Sequence, residues 1–189
     1  MIICERHRLA ILTPPKAGSA AIHRALSRPE TGCLSVYSVD PSGEVSKHGV
    51  VVPLEWTSQR YRVAAMVRNP YDRLVSQYTH YSNWLTCQGL AAPSLLAYLT
   101  SPPDHLVFGW SLCRALDAAR PDEIWKLEEL PAHLERLGLP AVPRDNTSWH
   151  LPTAELLKPD LWRLADIATA DDRRAFGYPS LAESTNNGR

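Results

Sequence analysis

Residues 9–22 read LAILTPPKAGSAAI, an apolar run that ends at two prolines and is followed by a lysine, a glycine and a serine. The run within Arg8 to Thr13 predicts a buried strand. From Gly18 to about Ser27 the pattern predicts a helix, because apolar residues four positions apart share one helix face and a proline follows its end. This part of the chain is therefore predicted to form a strand, a tight loop and a helix.

The loop in this segment has the composition of an anion-binding site. A loop from a strand into a helix directs backbone N–H groups and the positive end of the helix dipole toward one point. Lys16 adds charge, Gly18 permits close approach and Ser19 adds a hydroxyl. The lysine precedes the glycine, so this is not the Gly-x-x-x-x-Gly-Lys loop of ATPases and GTPases. The alternative interpretation is an ordinary turn with a solvated lysine.

The same order of elements recurs at residues 61–85. Tyr61 to Val67 predicts a second strand. Asn69 and Pro70 predict the start of a helix that runs to about Leu85, because asparagine caps helices and proline suits the first helical position. A second strand is thus expected to lead directly into a helix.

A third strand and helix are expected further along the chain. Glu123 to Leu127 predicts the strand, and the helix near Leu130 to Leu137 ends at Gly138. Strands that alternate with helices predict an α/β fold, with a mostly parallel sheet flanked by helices. We assign no elements to residues 33–59 or 140–153, which prolines interrupt.

A second anion-binding motif stands in VRNPYDRLVSQY at residues 67–78. Arg68 ends the second strand and Ser76 follows eight positions later, two turns into the next helix. Their guanidinium and hydroxyl groups are expected to converge on one further anion. The alternative is that Arg68 pairs with Asp72 and Ser76 only packs. Both motifs follow strand ends, where open α/β sheets bind ligands, so we expect a ligand with two separated phosphates.

Composition limits the class of protein. The length of 189 residues predicts a single domain over residues 1–189. Hydrophobic residues make up 44% and charged residues 21%, which argues against disorder and fibrous repeats. Twenty basic and twenty acidic residues cancel, so we expect neither nucleic acid nor an anionic membrane surface as a partner.

Targeting and metal-binding signals are also missing from the sequence. Residues 1–10 contain four charged or histidine residues in place of an apolar run, so we expect no signal peptide or membrane anchor and a cytoplasmic location. The four cysteines show no C-x-x-C spacing, which predicts buried thiols rather than a disulfide framework or a zinc site. The seven histidines show no metal-ligand spacing either, so we expect no metal.

Taken together, the two motifs resemble the sulfotransferases that use 3′-phosphoadenosine 5′-phosphosulfate (PAPS), especially the Golgi carbohydrate type and its bacterial relatives. In that family the first loop binds the 5′-phosphosulfate, and the arginine and the serine bind the 3′-phosphate. Weaker similarity continues at WKLEEL in residues 125–130 and at Asp172 with FGY in residues 176–178. The resemblance covers nearly the whole chain and implies a P-loop-like strand-loop-helix that holds phosphate.

The resemblance also implies which residues bind the co-substrate: Pro15, Lys16, Ala17, Gly18, Ser19, Ala20, Arg68 and Ser76. It implies transfer of a sulfuryl group from PAPS without a metal ion, with Lys16 stabilising charge on the departing phosphate. Where relatives usually place threonine or serine, this chain has Ala20 and Ala21, and two potential hydroxyl donors are lost.

The expected catalytic base is His48. It stands in VSKHG at residues 45–49, which resembles the Lys-His found between the two cofactor motifs in related enzymes. An imidazole that titrates near neutrality suits removal of the acceptor proton. The alternative is a loop histidine beside Gly49. His80 and His105 are lesser candidates.

The acceptor is expected to carry a hydroxyl group, as a small metabolite, a saccharide or a peptide tyrosine. Four aromatic residues are candidates for its pocket: Tyr78, Tyr81, Trp84 and Trp110. The alternative is that those at helical spacing, such as Tyr78 and Tyr81, belong to the core. Two other functions stay open. One is a nucleotide-binding phosphotransferase, which the missing Walker loop disfavours, and the other is a non-catalytic scaffold that binds 3′-phosphoadenosine 5′-phosphate (PAP).

Overall fold

A computed structural model describes residues 1–36, 38–39, 45–46, 61–102, 111–117, 119–142 and 152–186. The chain forms two compact units: Met1–Arg68 with Arg114–Asn146, and Asn69–Cys113 with Thr147–Arg189. Because the units alternate along the chain, this division does not by itself make them separate domains. The single-domain expectation stays a prediction.

The first unit is built on a five-stranded sheet. Its strands are β1 Ile2–Cys4, β2 Leu9–Leu12, β3 Cys33–Ser35, β6 Arg62–Val67 and β7 Glu123–Lys126, and two short strands, β4 Ser38–Val39 and β5 Val45–Ser46, form a separate pair. The order across the sheet is β3-β1-β2-β6-β7. β6 runs parallel to both β2 and β7, which are the three strands that the sequence predicted.

The described helices begin and end as follows: α1 Ser19–Leu26, α2 Pro70–Cys87, α3 Leu95–Thr100, α4 Leu112–Asp117, α5 Leu130–Arg136, α6 Thr153–Leu156, α7 Trp162–Ala168, α8 Ala170–Phe176 and α9 Leu181–Asn186. The predictions of α1, α2 and α5 are confirmed, with ends that differ by at most two residues from those expected. The α/β class is likewise confirmed.

The sheet is mixed, which corrects the expectation of a mostly parallel one. β1 pairs antiparallel with β2 on one side and with β3 on the other. β1 has three residues and the charged segment 5–8 follows it, so no apolar period was long enough to reveal the strand. The short connection from β1 to β2 allows only an antiparallel pairing, because a parallel one needs a long crossover.

One face of the sheet packs against α1 and α5. Alternate strand residues such as Ile11, Met66 and Trp125 belong to one buried cluster with Ile22 of α1 and Leu134 of α5. The alternation follows from strand geometry, which turns successive side chains to opposite faces. Strand residues on the opposite face are also buried, so β2 and β6 read as continuous apolar runs.

Cys4 and Cys33 form a disulfide between β1 and β3, so the prediction of free thiols is wrong for this pair. The two residues stand directly opposite each other in the antiparallel pairing, with Cα atoms 4.2 Å apart. Their spacing along the chain carried no hint of this, because the pairing depends on the unpredicted strand β1. Cys87 is exposed and Cys113 is half-buried, so neither is the fully buried thiol that was expected.

The described part of the second unit is helical. Its core joins Leu74 and Val75 of α2 with Tyr98 of α3, with Leu157 directly after α6, and with Ala165 of α7. Burial raises the pKa of the Tyr98 hydroxyl to about 12. These apolar contacts hold the long helix α2 against shorter neighbours.

A buried ion pair lies within the second unit. The Arg73 guanidinium lies 3.3 Å from a carboxylate oxygen of Asp172, and both side chains are at most 5% exposed. The other oxygen of Asp172 accepts a hydrogen bond from the backbone N–H of Cys113 at 2.8 Å. A buried charge needs such partners, and removing one of them leaves the other uncompensated. Asp172 therefore ties α2 and α8 to the start of α4.

Candidate functional site

Three parallel strands of the first unit end at the same edge of the sheet. β2 ends at Leu12, which pairs with Ala65, and β6 ends at Val67, which pairs with Lys126 at the end of β7. Ligands of open α/β sheets bind outside this edge, where the loops leave the strands. The predicted anion loop and Arg68 both follow strands that end here.

The loop after β2 is a tight turn. The backbone N–H of Ala17 donates to the carbonyl of Pro14 at 3.3 Å, and the Ala17 side chain belongs to the core. Lys16 has φ of 64° and Gly18 has φ of 80°, both in the left-handed region. A lysine there is uncommon, and such conformations persist where the surroundings hold them. Loop 13–18 thus has a defined shape around a half-buried lysine.

Gly18 is required by its surroundings as well as by its backbone. A Cβ atom at this position would lie 2.8 Å from Cδ1 of Leu127, closer than real contacts allow. Leu127 follows β7 directly, in the 3-10 helix Leu127–Glu129. The loop after β2 is therefore packed against the residue that follows the third parallel strand.

Helix α1 begins without a side-chain cap. Gly18 is its N-cap residue and has no side chain to accept from the first-turn amides, and the first turn contains no acidic residue. Those amides have no partner inside the helix, and they carry the positive end of its dipole. Ser19 is buried at 5% exposure, while Ala20 is half-buried. The start of α1 is thus chemically suited to an anion.

Three basic residues stand at the ends of the three parallel strands. Lys16 follows β2, Arg68 follows β6 and Lys126 ends β7, and all three are half-buried. We call them the strand-end cations. The sequence analysis did not single out Lys126. It stands at the end of the third predicted strand, and a basic residue at a strand end was the signal used for Lys16 and Arg68. Partly desolvated positive charges at one edge attract a polyanion.

The second predicted anion motif is divided between the two units. Arg68 belongs to the first unit, while Ser76 is buried in α2 of the second at 3% exposure. Asp72, the alternative partner of Arg68, accepts a hydrogen bond from the Thr153 hydroxyl. The convergence of Arg68 and Ser76 on one phosphate stays a prediction.

Most of the remaining candidate residues lie outside the part of the chain that the structure describes. His48, the expected base, lies outside the described residues, as do His105 and Trp110. His80 is exposed on α2. The role of His48 therefore stays a prediction.

The aromatic residues of α2 pack in the second unit. The rings of Tyr78 and Tyr81 lie 5.4 and 6.0 Å from that of Tyr98, and the Tyr78 hydroxyl donates to the Pro93 carbonyl at 3.0 Å. Trp84 stacks on Tyr81 and is 47% exposed. These contacts favour the core interpretation for the two tyrosines, which border the buried cluster of this unit.

A series of hydrogen bonds begins at the first residue of the loop. The hydroxyl of Thr13 lies 3.0 Å from Nε2 of His23, and Nδ1 of the same ring lies 2.7 Å from the hydroxyl of Ser35. The Ser35 hydroxyl in turn contacts that of Ser27. Thr13 is 0% and His23 is 6% exposed. These hydrogen bonds connect the loop to α1 and β3. No sequence motif predicted them.

Comparison of the chain with protein-family models, curated proteins and solved structures gave no match. Within the described ranges, no helix is both long enough and apolar enough to cross a bilayer. The same residues bring together no group of three or more His, Cys, Asp and Glu side chains that could hold a metal ion.

Proposed function

We propose that the protein is a sulfotransferase that moves a sulfuryl group from PAPS to a hydroxyl of an acceptor and releases PAP. The observation that carries the proposal is the carboxyl edge of the parallel strands. There the uncapped start of α1, a left-handed loop at Lys16 and the Arg68 position follow neighbouring strands. The resemblance of both sequence motifs to the PAPS-dependent family supports the same interpretation.

The loop and the start of α1 fit the 5′-phosphosulfate of the co-substrate. Gly18 gives the loop its left-handed turn and lets Leu127 pack directly against the backbone. Backbone amides and a hydroxyl at a helix start meet phosphate oxygens without a mobile counter-ion. On this proposal the loop contacts come from Pro15, Lys16, Ala17, Gly18, Ser19 and Ala20.

The 3′-phosphate is assigned to Arg68 and Ser76. A guanidinium binds a phosphate through two parallel hydrogen bonds, which gives direction as well as charge. Lys126, the third strand-end cation, adds positive charge at the same sheet edge. Because the two motifs follow separate strands, we propose a nucleotide with phosphates at two separated positions rather than one with a single phosphate chain.

The reaction needs positioning and charge more than covalent chemistry. The acceptor oxygen forms a bond to sulfur while the bond from sulfur to the 5′-phosphate oxygen breaks. His48 is proposed to take the acceptor proton, and Lys16 to stabilise the negative charge left on the phosphate. Phosphoryl transfer is the physical parallel, since there too preorganised charges stabilise a loose transition state. The proposal requires no metal ion, because Lys16 and the backbone amides meet that charge.

The acceptor class and the location stay predictions. We propose a small hydroxylated metabolite, a modest saccharide or a peptide tyrosine, since balanced charge disfavours a long polyanion. The proposed location is the cytoplasm. Disulfides such as Cys4–Cys33 are more usual in oxidising compartments, so the redox state of this pair in cells is the observation that bears on the location.

A second candidate function is a non-catalytic protein that binds PAP. The observation that favours it is Ala20, half-buried in the first turn of α1 and followed by Ala21, where the resemblance leads one to expect hydroxyl donors. Loss of such donors weakens stabilisation of the transferring group more than it weakens nucleotide binding.

The proposal is tested by incubating the protein with radiolabelled PAPS and three acceptors: a nitrophenol, an N-acetylhexosamine and a tyrosine peptide. We expect labelled product with at least one acceptor, and loss of product by about a hundredfold or more in His48→Ala with PAP affinity kept. PAP binding without product from any acceptor would favour the scaffold. Displacement of PAP by ATP at equal concentration would favour a phosphotransferase.

A further inference from the structure

The hydrogen-bond series at Thr13 joins the anion loop to two other elements of the first unit. Thr13 is the first residue after β2, His23 lies in the middle of α1, and Ser35 ends β3. His23 also lies four positions after Ser19, so the two residues share a face of α1. The imidazole therefore lies between the loop and β3, an edge strand that is two places from β2 in the sheet.

Hydrogen bonds at both ring nitrogens fix the orientation of the His23 imidazole. A neutral imidazole has one N–H donor and one acceptor nitrogen, and a hydroxyl is able to play either role. With a hydroxyl at each nitrogen, both ring positions are satisfied and the ring orientation is fixed. On the Thr13 side, where the bond is buried, loss of the partner leaves a polar group unsatisfied at a cost.

We propose that His23 is a positioning residue for the anion loop, acting through Thr13. The bond from Nε2 holds the Thr13 hydroxyl, and with it the start of the turn that carries Lys16 into its left-handed conformation. The bond from Nδ1 to Ser35 anchors the ring on β3 and fixes the direction of the Nε2 arm. This role rests on the proposed function, because it concerns the same anion site.

Two substitutions of His23 distinguish the hydrogen bond at Nε2 from the one at Nδ1. The terminal amide of glutamine reaches the position of Nε2, so His23→Gln keeps a partner for Thr13. The amide of asparagine reaches only the position of Nδ1, so His23→Asn keeps a partner for Ser35 and loses Thr13. Thr13→Val removes the hydroxyl at nearly constant shape, and Thr13→Ser keeps it.

Two measurements follow the loop in each variant: the Kd for PAP and the exchange rate of the backbone amides at residues 16–19 without ligand. His23→Asn and Thr13→Val are each expected to weaken PAP binding and to speed exchange by about tenfold. Thr13→Ser is expected to stay within about twofold of wild type. His23→Gln keeps the partner of Thr13 but loses the anchor on Ser35, so its loss is expected to be about threefold, smaller than that of His23→Asn. The double variant of Thr13→Val with His23→Asn is expected to lose no more than either single one, since both remove one bond.

A purely structural histidine gives a different result. In that case the asparagine and glutamine variants lower the free energy of unfolding alike, while PAP affinity and loop exchange stay at wild-type values, and the proposal is overturned. If wild type does not bind PAP, the proposed function fails, yet the exchange rates still decide whether His23 positions the loop. If His23→Asn does not fold, Thr13→Val against Thr13→Ser decides the question with the histidine in place.

Discussion

Helix α1 begins at a glycine and helix α2 at an asparagine, and the two strand-to-helix junctions satisfy their backbone in different ways. At the first junction Gly18 is in the left-handed region and offers no side-chain cap. At the second, the side chain of Asn69 accepts from the N–H of Tyr71 at 3.0 Å, and Pro70 has no N–H to satisfy. The first leaves its helix start open, while the second closes it.

The difference indicates how each junction would hold an anion. The first turn of α1 has no side-chain cap and no acidic residue, so on the proposed function its amides and the helix dipole attract the phosphate. The first turn of α2 contains Asp72, and its cap is internal. A phosphate near the second junction must therefore depend on the side chain of Arg68. On the proposed function, the first junction binds its phosphate through the backbone and the second through a side chain.

Lys16→Ala tests the charge at the open junction and has the largest expected effect. We expect the rate of sulfuryl transfer to fall by about a hundredfold or more, because the lysine acts on charge that develops at the departing phosphate. PAP affinity is expected to fall by less than about tenfold, since backbone contacts remain. The measurement is kcat/KM beside Kd for PAP. The exposed Lys158→Ala serves as the matched control, and an equal fall in both constants for Lys16→Ala would contradict this role.

Arg68→Ala tests the side-chain dependence of the closed junction. We expect PAP to bind about thirtyfold more weakly, the loss of about 2 kcal/mol typical of a charge-assisted bond. Adenosine 5′-phosphosulfate, which lacks the 3′-phosphate, should bind nearly as before. Arg62→Ala at the opposite end of β6 is the control, because Arg62 pairs with Glu123 at 3.0 Å. Equal weakening of both nucleotides would make Arg68 structural.

Gly18→Ala tests the packing at the first junction, because it adds one methyl group beside Leu127. We expect the free energy of unfolding to fall by about 2 kcal/mol, from left-handed strain and from displacement of Leu127. Gly32→Ala provides the matched control, because Gly32 has φ of 63° but nothing lies within 4 Å of its added Cβ. Its loss should be about 1 kcal/mol. Equal losses of the two variants in denaturant titration would show that the contact with Leu127 contributes nothing to the loss at Gly18.

Asn69→Ala opens the closed junction and has the smallest expected effect. Loss of the cap should lower the free energy of unfolding by about 1 kcal/mol. PAP affinity should stay within about twofold of wild type, since that helix start is not assigned to the ligand. A tenfold loss of PAP affinity in calorimetry would contradict the assignment of this junction to the side chain of Arg68 alone.

The parts of the fold that could be predicted are those with local signals. β2 and β6 are apolar runs, and β7 has two apolar residues, Ile124 and Trp125, between charged ones. Each of the three strands is followed by a turn and by a helix with a recognisable start or end. β1 and β3 have three residues each, too few for a period, and they are held by pairing with each other. The mixed sheet and the Cys4–Cys33 disulfide both follow from that pairing, so neither could be inferred from the sequence.

Some residues of the candidate site could be predicted from local motifs, and others could not. Lys16, Gly18 and Arg68 stand in motifs whose spacing along the chain carries the information. The positions of Lys126 and Leu127 relative to the loop depend on the parallel register of β6 with β7, and the contact of His23 depends on Ser35 in the unpredicted strand β3. Such contacts join residues far apart in sequence, which no local pattern records.

Calorimetric titration of the purified protein with PAP, and with ADP as the nucleotide without a 3′-phosphate, tests whether two separate phosphates are bound. We expect micromolar binding of PAP and at least tenfold weaker binding of ADP, a difference of about 1.4 kcal/mol. Equal affinity for the two nucleotides, or no binding of PAP, would contradict the assignment of separate phosphates to the loop at Lys16 and to Arg68.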